Sequence, residues 1–321
     1  MDTIFQLLIL ALGFVCLVKG ADWFVDGAVG IATKFGIPQI VIGLTIVAMG
    51  TSAPEAAVSI TAALQGSADI TIGNVVGSNI LNILIILGLS ALIYPLKVEK
   101  TTIWVDIPVM MGATILLFAL GYDGTVSRLD AGILLVIFAA YLGFLFYLTK
   151  KNKSEEKLLT SSDIEKENSE ETEKKLSLPK ALILTAIGLG LIILGSNFAV
   201  DAATAIARMV GLSERFIGLT IVALGTSLPE LFTSVSASIK KNSDIAIGNI
   251  VGSNIFNILF IVGLSGLIIP VPFEAAFRFD TLVALGAAAM LFVFALPKKQ
   301  LPKFTGLIML LSYAVYFSQL W

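Results

Sequence analysis

The sequence contains no histidine and a single cysteine, Cys16. Without histidine the chain cannot build a histidine-based catalytic triad or a histidine zinc site. One cysteine excludes an intrachain disulfide and a thiolate metal cluster. Any metal ion that the chain binds must therefore accept oxygen ligands, as the hard cations Na⁺, Ca²⁺ and Mg²⁺ do. We expect neither a resident cofactor nor an enzymatic reaction.

Charged residues are also scarce. They make up 14% of the 321 residues, against about 25% in a soluble domain. Hydrophobic residues make up 57%, and many apolar runs reach the ~20 residues that a helix needs to cross a bilayer. The chain is therefore predicted to be an all-α integral membrane protein. A net charge of −2 without a basic domain excludes a nucleic-acid partner, and nothing implies an obligate protein partner.

Ten spanning helices fit the hydrophobic pattern. They are divided by residues 150–177, an extended hydrophilic segment that we interpret as a connector between residues 1–149 and 178–321. Five is an odd number, so the second group of helices is expected to be inverted relative to the first. The predicted spans are about 3–33, 40–64, 71–93, 103–121, 130–149, 178–208, 215–239, 246–269, 280–296 and 304–321.

The basic residues predict how the chain is oriented. Loops on the side of the two termini carry four arginines, whereas the connector side carries 16 lysines. Cytoplasmic loops are enriched in lysine and arginine. We therefore predict a multi-pass protein of the cell membrane with both termini outside and a cytoplasmic connector.

One long segment occurs twice. Residues 42–90 align with residues 217–265 without a gap, and the two copies are identical at 31 of 49 positions. The copies begin with IGLTIVAMGTSAPE and IGLTIVALGTSLPE, and they continue into IGNVVGSNILN and IGNIVGSNIFN. The repeat offset, which takes position 42 to position 217, is therefore constant. A duplicated, proline-broken hydrophobic segment is typical of a transport site that is assembled between two halves of a chain.

Each copy places a lone glutamate beside the proline. In the first copy, Pro54 deprives a carbonyl of its helical partner, and carbonyls freed in this way can line an ion path in a membrane. Thr51 and Ser52 add hydroxyls, and Glu55 lies one turn from Thr51 on the same helix face. The second copy repeats this set with Thr226, Ser227, Pro229 and Glu230. Carbonyls, hydroxyls and a carboxylate that converge predict an all-oxygen cation site.

The helix that follows in each copy has a polar stripe with i, i+4, i+8 spacing. The stripes are Asn74, Ser78 and Asn82, then Asn249, Ser253 and Asn257. Asn79 and Asn254 lie about 100° from the stripes. The stripes could instead join helices, at ~0.6 kcal/mol per contact. A lone buried glutamate could likewise be structural, but two in identical contexts, each costly in hydrocarbon, favour function.

The paired motifs GTSAPE with GNVVGSNILN and GTSLPE with GNIVGSNIFN resemble the two alpha-repeats of the cation/Ca²⁺ exchanger superfamily, and more narrowly those of prokaryotic Na⁺/Ca²⁺ exchangers. The resemblance implies ten transmembrane helices in two inverted five-helix repeats, with broken helices at an ion site in mid-membrane. It also implies secondary active, electrogenic antiport of Na⁺ against Ca²⁺ by alternating access.

The resemblance also implies a set of ion ligands. Glu55 and Glu230 would be the central Ca²⁺ ligands, together with Thr51 and Thr226. Flanking Na⁺ sites would be completed by Ser52, Ser227, Ser78, Ser253 and the carbonyls of Ala48 and Ala223. Asn82 matches the asparagine of the family, whereas Asn257 stands where many members have aspartate.

Three alternatives follow from the same residues. The departure at Asn257 leaves K⁺-dependent Na⁺/Ca²⁺ exchange open. A Ca²⁺/H⁺ antiporter would use the same two glutamates as proton carriers, although Asn82 and Asn257 are not acidic. A channel is the third alternative, and inverted repeats of broken helices favour alternating access over an open pore.

Overall fold

The computed structural model describes residues 3–160, 176–210 and 223–319. Nearly all of this part of the chain is helical, because a backbone in hydrocarbon must satisfy its own hydrogen bonds. The mostly helical fold is therefore confirmed. The helices are α1 (Thr3–Phe35), α2 (Gln39–Thr51), α3 (Ala53–Leu64), α4 (Asp69–Ile93), α5 (Thr102–Leu120), α6 (Arg128–Thr160), α7 (Leu178–Met209), α8 (Ala223–Thr226), α9 (Leu228–Ile239), α10 (Ser243–Ile268), α11 (Ala275–Ala295) and α12 (Lys303–Ser318).

Seven of the described helices are long and apolar enough to cross a membrane, and the bent pair of α2 and α3 makes an eighth. The predicted span 215–239 includes residues 215–222, which lie outside the described residues. Helix α12 has 16 residues, fewer than the ~20 of a full crossing. Helix α6 continues to Thr160, inside the predicted connector, and residues 161–175 of that connector are not among those described.

Helices α1 and α7, with 33 and 32 residues, pack against each other. Glycines meet at two levels of this crossing. A Cβ atom added at Gly13 would lie 2.9 Å from the carbonyl oxygen of Gly195, and one added at Gly20 would lie 2.8 Å from that of Gly188. The two backbones can approach this closely because the side chains are missing, as is common where membrane helices cross.

Helices α4 and α10 occupy the interior, and α10 is buried along almost its whole length. Both helices change from α-helical to π-helical geometry at an asparagine. The π-helical turns run over Asn82–Leu87 in α4 and Asn257–Val262 in α10. Such turns are rare and are often found at functional sites, and both begin at the last residue of a predicted polar stripe.

Four two-residue strands join the halves of the chain. Strand β1 (Leu96–Lys97) pairs with β4 (Gln300–Leu301), and β2 (Thr125–Val126) pairs with β3 (Val271–Pro272), both antiparallel. The repeat offset relates β1 to β3 and β2 to β4. Helix α5, which separates β1 from β2, has 19 residues and is therefore about 28 Å long. The two small sheets thus lie at opposite ends of the bundle, and each takes one strand from either half.

Candidate cation-binding site

The proline breaks predicted from the sequence are present in both copies. Helices α2 and α3 meet at 49°, and the residue between them, Ser52, has φ −81° and ψ 10°. Ser227 separates α8 from α9 with nearly the same angles, φ −88° and ψ 3°. Glu55 and Glu230 lie in the first turns of α3 and α9. The positive ends of these two helix dipoles therefore favour the carboxylates.

The two breaks form one site, because each glutamate is bonded to the serine of the other half. Ser52 Oγ donates to Glu230 Oε1 at 2.7 Å, and Ser227 Oγ donates to Glu55 Oε1 at 3.3 Å. The hydroxyls of Thr51 and Thr226 also contact Glu230 and Glu55, respectively. All four of the predicted hydroxyls at the breaks are thus brought to the carboxylates.

Both carboxylates are almost completely buried, with 1% of their surface exposed. Neither is paired with a lysine or arginine among the described residues. The second oxygen of each, Oε2, has no hydrogen-bond donor in that part of the chain. Buried carboxylates are normally paired or bound to a metal ion. Two unpaired oxygens in one enclosed site fit a divalent cation.

The predicted stripe residues Ser78 and Ser253 also reach the site. Ser253 Oγ lies 3.5 Å from Glu230 Oε1 and 3.4 Å from the carbonyl oxygen of Ala48. Ser78 Oγ lies 3.4 Å from Ser227 Oγ. The Ala48 carbonyl, a predicted ligand, therefore faces the site. Its counterpart Ala223 is the first residue of α8, and the structure describes no contact for it.

The last two predicted ligands, Asn82 and Asn257, are buried with 1% exposure. Their side-chain nitrogens donate across the interface between the halves, to Asn254 Oδ1 and Asn79 Oδ1. Their own Oδ1 atoms have no donor among the described residues. Two neutral oxygens are therefore available besides the two carboxylate oxygens.

The first residues of the polar stripes, Asn74 and Asn249, support the broken helices. Asn74 Nδ2 donates to Ser59 Oγ at 2.9 Å and to the carbonyl of Glu55 at 3.2 Å. Asn249 makes the same two bonds to Ser234 and Glu230, and it also accepts a bond from Thr51 at 2.9 Å. These asparagines were in the predicted stripes but not among the predicted ligands, and a supporting role agrees with that division.

The sequence analysis missed two acid–phenol pairs outside the cation site, one buried and one half-buried. Tyr141 donates to Asp106 Oδ1 and Tyr316 donates to Asp280 Oδ1, both at 3.0 Å. The tyrosines are related by the repeat offset, and this was the sequence signal that could have identified the pairs. The aspartates miss that offset by a single position, and a π-helical turn over Thr102–Asp106 accounts for the difference.

Comparison with known proteins gives a consistent result. The family model described as sodium/calcium exchanger protein matches residues 5–147 and 180–321. The "Putative antiporter CaxA" of Alkalimonas amylolytica is 38% identical over 312 residues, 95% of either chain. The "Sodium/calcium exchanger MaX1" of Methanosarcina acetivorans is 35% identical over 339 residues, with 96% of each chain covered. A solved structure of the sodium-calcium exchanger NCX_Mj matches with a TM-score of 0.85, 33% identity and full coverage of both chains.

Proposed function

The chain belongs to the sodium/calcium exchanger protein family, and we propose that it is a secondary active antiporter that exchanges Na⁺ for Ca²⁺ across the membrane by alternating access. The observation that carries this proposal is the pair of buried carboxylates, Glu55 and Glu230, each bonded to a serine of the other half. Two carboxylates neutralise one Ca²⁺, so the loaded site carries no net charge. A neutral site can switch from one side of the membrane to the other within the low-dielectric interior.

Competition for the same oxygens couples the two ions. At least two Na⁺ are needed to replace the charge of one Ca²⁺ at Glu55 and Glu230. If three Na⁺ are exchanged for each Ca²⁺, every cycle moves one net charge, which is worth about 2.3 kcal/mol per 100 mV of membrane potential. The ions are substrates of the transporter, and the proposal includes no resident cofactor, no enzymatic reaction and no obligate protein partner.

The proposed ligand set is the one predicted from the resemblance. Ca²⁺ would be held by Glu55 and Glu230 with the two threonines that precede the breaks, Thr51 and Thr226. Na⁺ would use the flanking oxygens of Ser52, Ser227, Ser78, Ser253, Ala48 and Ala223. Asn82 and Asn257 would contribute their unpartnered amide oxygens. The geometry supports all of these positions except that of Ala223, for which no contact is described.

The proposed architecture has ten transmembrane helices in two inverted five-helix repeats, residues 1–149 and 178–321. The exchanged strand pairing supports it, because equivalent strands lie at opposite ends of the bundle. The lysine-rich connector would be cytoplasmic and the termini outside, in accordance with the distribution of basic residues. Helices α1 and α7 are in close contact at their glycines, and we propose that they move together as a unit across the core.

The test is uptake of ⁴⁵Ca²⁺ into proteoliposomes under separately imposed Na⁺, K⁺ and pH gradients. We expect an outward Na⁺ gradient to drive uptake, with a valinomycin-set potential changing its rate. Uptake driven by a pH gradient alone would replace the proposal with Ca²⁺/H⁺ antiport. A requirement for K⁺ together with Na⁺ would identify a K⁺-dependent exchanger.

A further inference from the structure

Asn79 and Asn254 close a hydrogen-bonded ring between α4 and α10, and Asn82 and Asn257 each donate one further bond to it; we call these four residues the asparagine ring. Asn79 Nδ2 donates to the backbone carbonyl of Asn254, and Asn254 Nδ2 donates to the backbone carbonyl of Asn79, both at 3.2 Å. Asn82 Nδ2 donates to Asn254 Oδ1 at 2.9 Å, and Asn257 Nδ2 donates to Asn79 Oδ1 at 3.0 Å. The ring is buried, since all four residues are at most 2% exposed.

The backbone determines the direction of every bond in this ring. A carbonyl oxygen can only accept a hydrogen bond, so the side-chain atom of Asn79 that faces the Asn254 carbonyl must be the NH₂ group. The other side-chain atom of Asn79 is then its oxygen, which can only accept. Asn257 must therefore turn its NH₂ group toward Asn79, and its own Oδ1 points away from the ring. The same reasoning orients Asn82 through Asn254.

The oxygens left free by this order belong to residues one helical turn from two serines of the cation site. Asn82 is one helical turn from Ser78, whose Oγ lies 3.4 Å from that of Ser227, the serine that donates to Glu55. On the other helix, Asn257 is one turn from Ser253. Both Oδ1 atoms are buried and have no donor among the described residues, an unfavourable state for an acceptor that binds nothing.

We propose that Asn79 and Asn254 are positioning residues, which orient Asn257 and Asn82 so that both present a carbonyl oxygen to the transported cation. An NH₂ group turned toward the cation would repel it, so a neutral amide is a useful ligand only when its orientation is held. Each positioning residue orients the ligand of the other half: Asn79 orients Asn257, and Asn254 orients Asn82. This proposal rests on the proposed function of the site.

The test is equilibrium binding of ⁴⁵Ca²⁺ to the purified full-length protein in detergent. Loss of such supporting contacts typically weakens metal binding about 10–100-fold, and we expect that loss for Asn79→Ala. The same substitution is then made in an Asn257→Asp background at alkaline pH. A carboxylate has an oxygen at both positions and cannot be turned the wrong way. In that background we expect Asn79→Ala to weaken binding less than about threefold, a coupling typical of residues in contact.

A crossed control separates this role from local packing. Asn82 is three residues from Asn79 on the same helix, so a local packing defect would affect Asn82 first. In the Asn82→Asp background, we expect Asn79→Ala to weaken Ca²⁺ binding as much as it does in the wild-type protein. The mirror-image variant Asn254→Ala should be rescued by Asn82→Asp and not by Asn257→Asp, and it provides the same test if Asn79→Ala does not fold.

Two results would overturn the proposal. One is wild-type Ca²⁺ affinity in Asn79→Ala. The other is an equal loss of affinity in the wild-type, Asn82→Asp and Asn257→Asp backgrounds. A failure of the proposed function would look different, because the wild-type protein itself would then show no Ca²⁺ binding that Na⁺ displaces.

Discussion

The two halves of the chain place equivalent atoms around the cation site, but they differ at the helix ends that flank it. Ser52 bonded to Glu230 is matched by Ser227 bonded to Glu55. In the asparagine ring, the two bonds to backbone carbonyls are both 3.2 Å long, and the two bonds between side chains are 2.9 Å and 3.0 Å long. Selection of the same residues at the same offset is expected where two halves must hold one ion from opposite sides.

The difference is an ion pair that only one half can make. Lys240 Nζ donates to Asp26 Oδ1 and to the carbonyl of Asp22, both at 2.7 Å, and Ser236 Oγ donates to Asp22 Oδ1 at 2.7 Å. These bonds tie the end of α9 to α1. The residues at the same offset in the other half are Gln65, Asp201, Asn197 and Thr61. A lysine is thus replaced by an uncharged residue at the matching end of α3.

The cavities beside α1 and α7 also differ. Between α7 and α3 there is a cavity of about 400 Å³, and its wall includes Asn197 as well as Pro54 and Thr226 from the proline breaks. A cavity of about 750 Å³ lies at the Lys240 end, but the described residues that line it include none of the predicted ligands. The cavity beside α7 therefore reaches one predicted ligand, Thr226, whereas the cavity at Lys240 reaches none among the described residues.

This comparison indicates which parts of a duplicated transporter can diverge. The predicted ligands are the same residue types in both halves of this chain. The polar contacts at Lys240 are made in one half alone, and a contact present in one access state and absent from another favours the first. Each of the following changes either removes the equivalence of the halves or tests the difference between them.

The largest effect is expected at the glutamates. Glu55→Ala and Glu230→Ala should each reduce Na⁺-driven ⁴⁵Ca²⁺ uptake to background, because either change leaves one carboxylate for a divalent ion. The control is Glu274→Ala, an exposed acid at the start of α11, which should transport normally. Near-normal uptake by either site variant would remove that residue from the ligand set.

The serines should have a smaller and unequal effect. The Ser52–Glu230 bond is 2.7 Å long and the Ser227–Glu55 bond is 3.3 Å. Bonds to charged groups contribute about 1.5–3 kcal/mol, so Ser52→Ala should weaken the apparent Ca²⁺ affinity at least about tenfold. Ser227→Ala should weaken it less. Titrating uptake with Ca²⁺ measures the apparent affinity of each variant. A larger loss of affinity in Ser227→Ala than in Ser52→Ala would contradict the expected order of the two effects.

Asn257→Asp tests the pH response. A third carboxyl group in the enclosed site should take up a proton near neutral pH, because three clustered carboxylates repel one another unless a cation offsets them. Uptake should persist but fall more steeply than in the wild type as the pH is lowered. Superimposable pH profiles would show that Asn257 does not face the ion. Asn82→Asp is the matched variant and should behave in the same way.

The smallest effect is expected at the asymmetric ion pair. Exposed pairs contribute about 0.2–1 kcal/mol, so Lys240→Gln should accelerate hydrogen exchange in the α1 segment around Asp22 and Asp26 by at most about fivefold. Gln65→Lys places a lysine at the position that matches Lys240, and it should slow exchange in α7 around Asp201, which matches Asp26. Unchanged exchange in both variants would show that these contacts do not hold the helices.

The sequence identified most of the site because the ligands are duplicated. Glu55, Ser52 and Asn82 recur at one offset, and the proline marks where the helix must break. Two features could not be derived in this way. The first is which serine bonds to which glutamate, because this depends on how α2 and α9 pack together. The repeat offset relates equivalent residues of the two copies, but it does not show which residues are in contact.

The second is the role of residues that lie outside the polar stripes. Asn79 is about 100° from the stripe on a regular helix, yet it bonds to Asn257 across the interface. Its function depends on the partner helix and on the change to π-helical geometry at Asn82. The pair Asp106 and Tyr141 joins two different helices, so no local pattern connects its members.

The central claim is that both halves build one shared site for a single Ca²⁺. Equilibrium binding of ⁴⁵Ca²⁺ to the purified protein, with and without Na⁺, tests it directly. We expect one Na⁺-displaceable Ca²⁺ per chain, and its loss in Glu55→Gln and in Glu230→Gln alike. Two Ca²⁺ per chain, with one retained in each single variant, would mean that each half binds its own ion and would contradict the account.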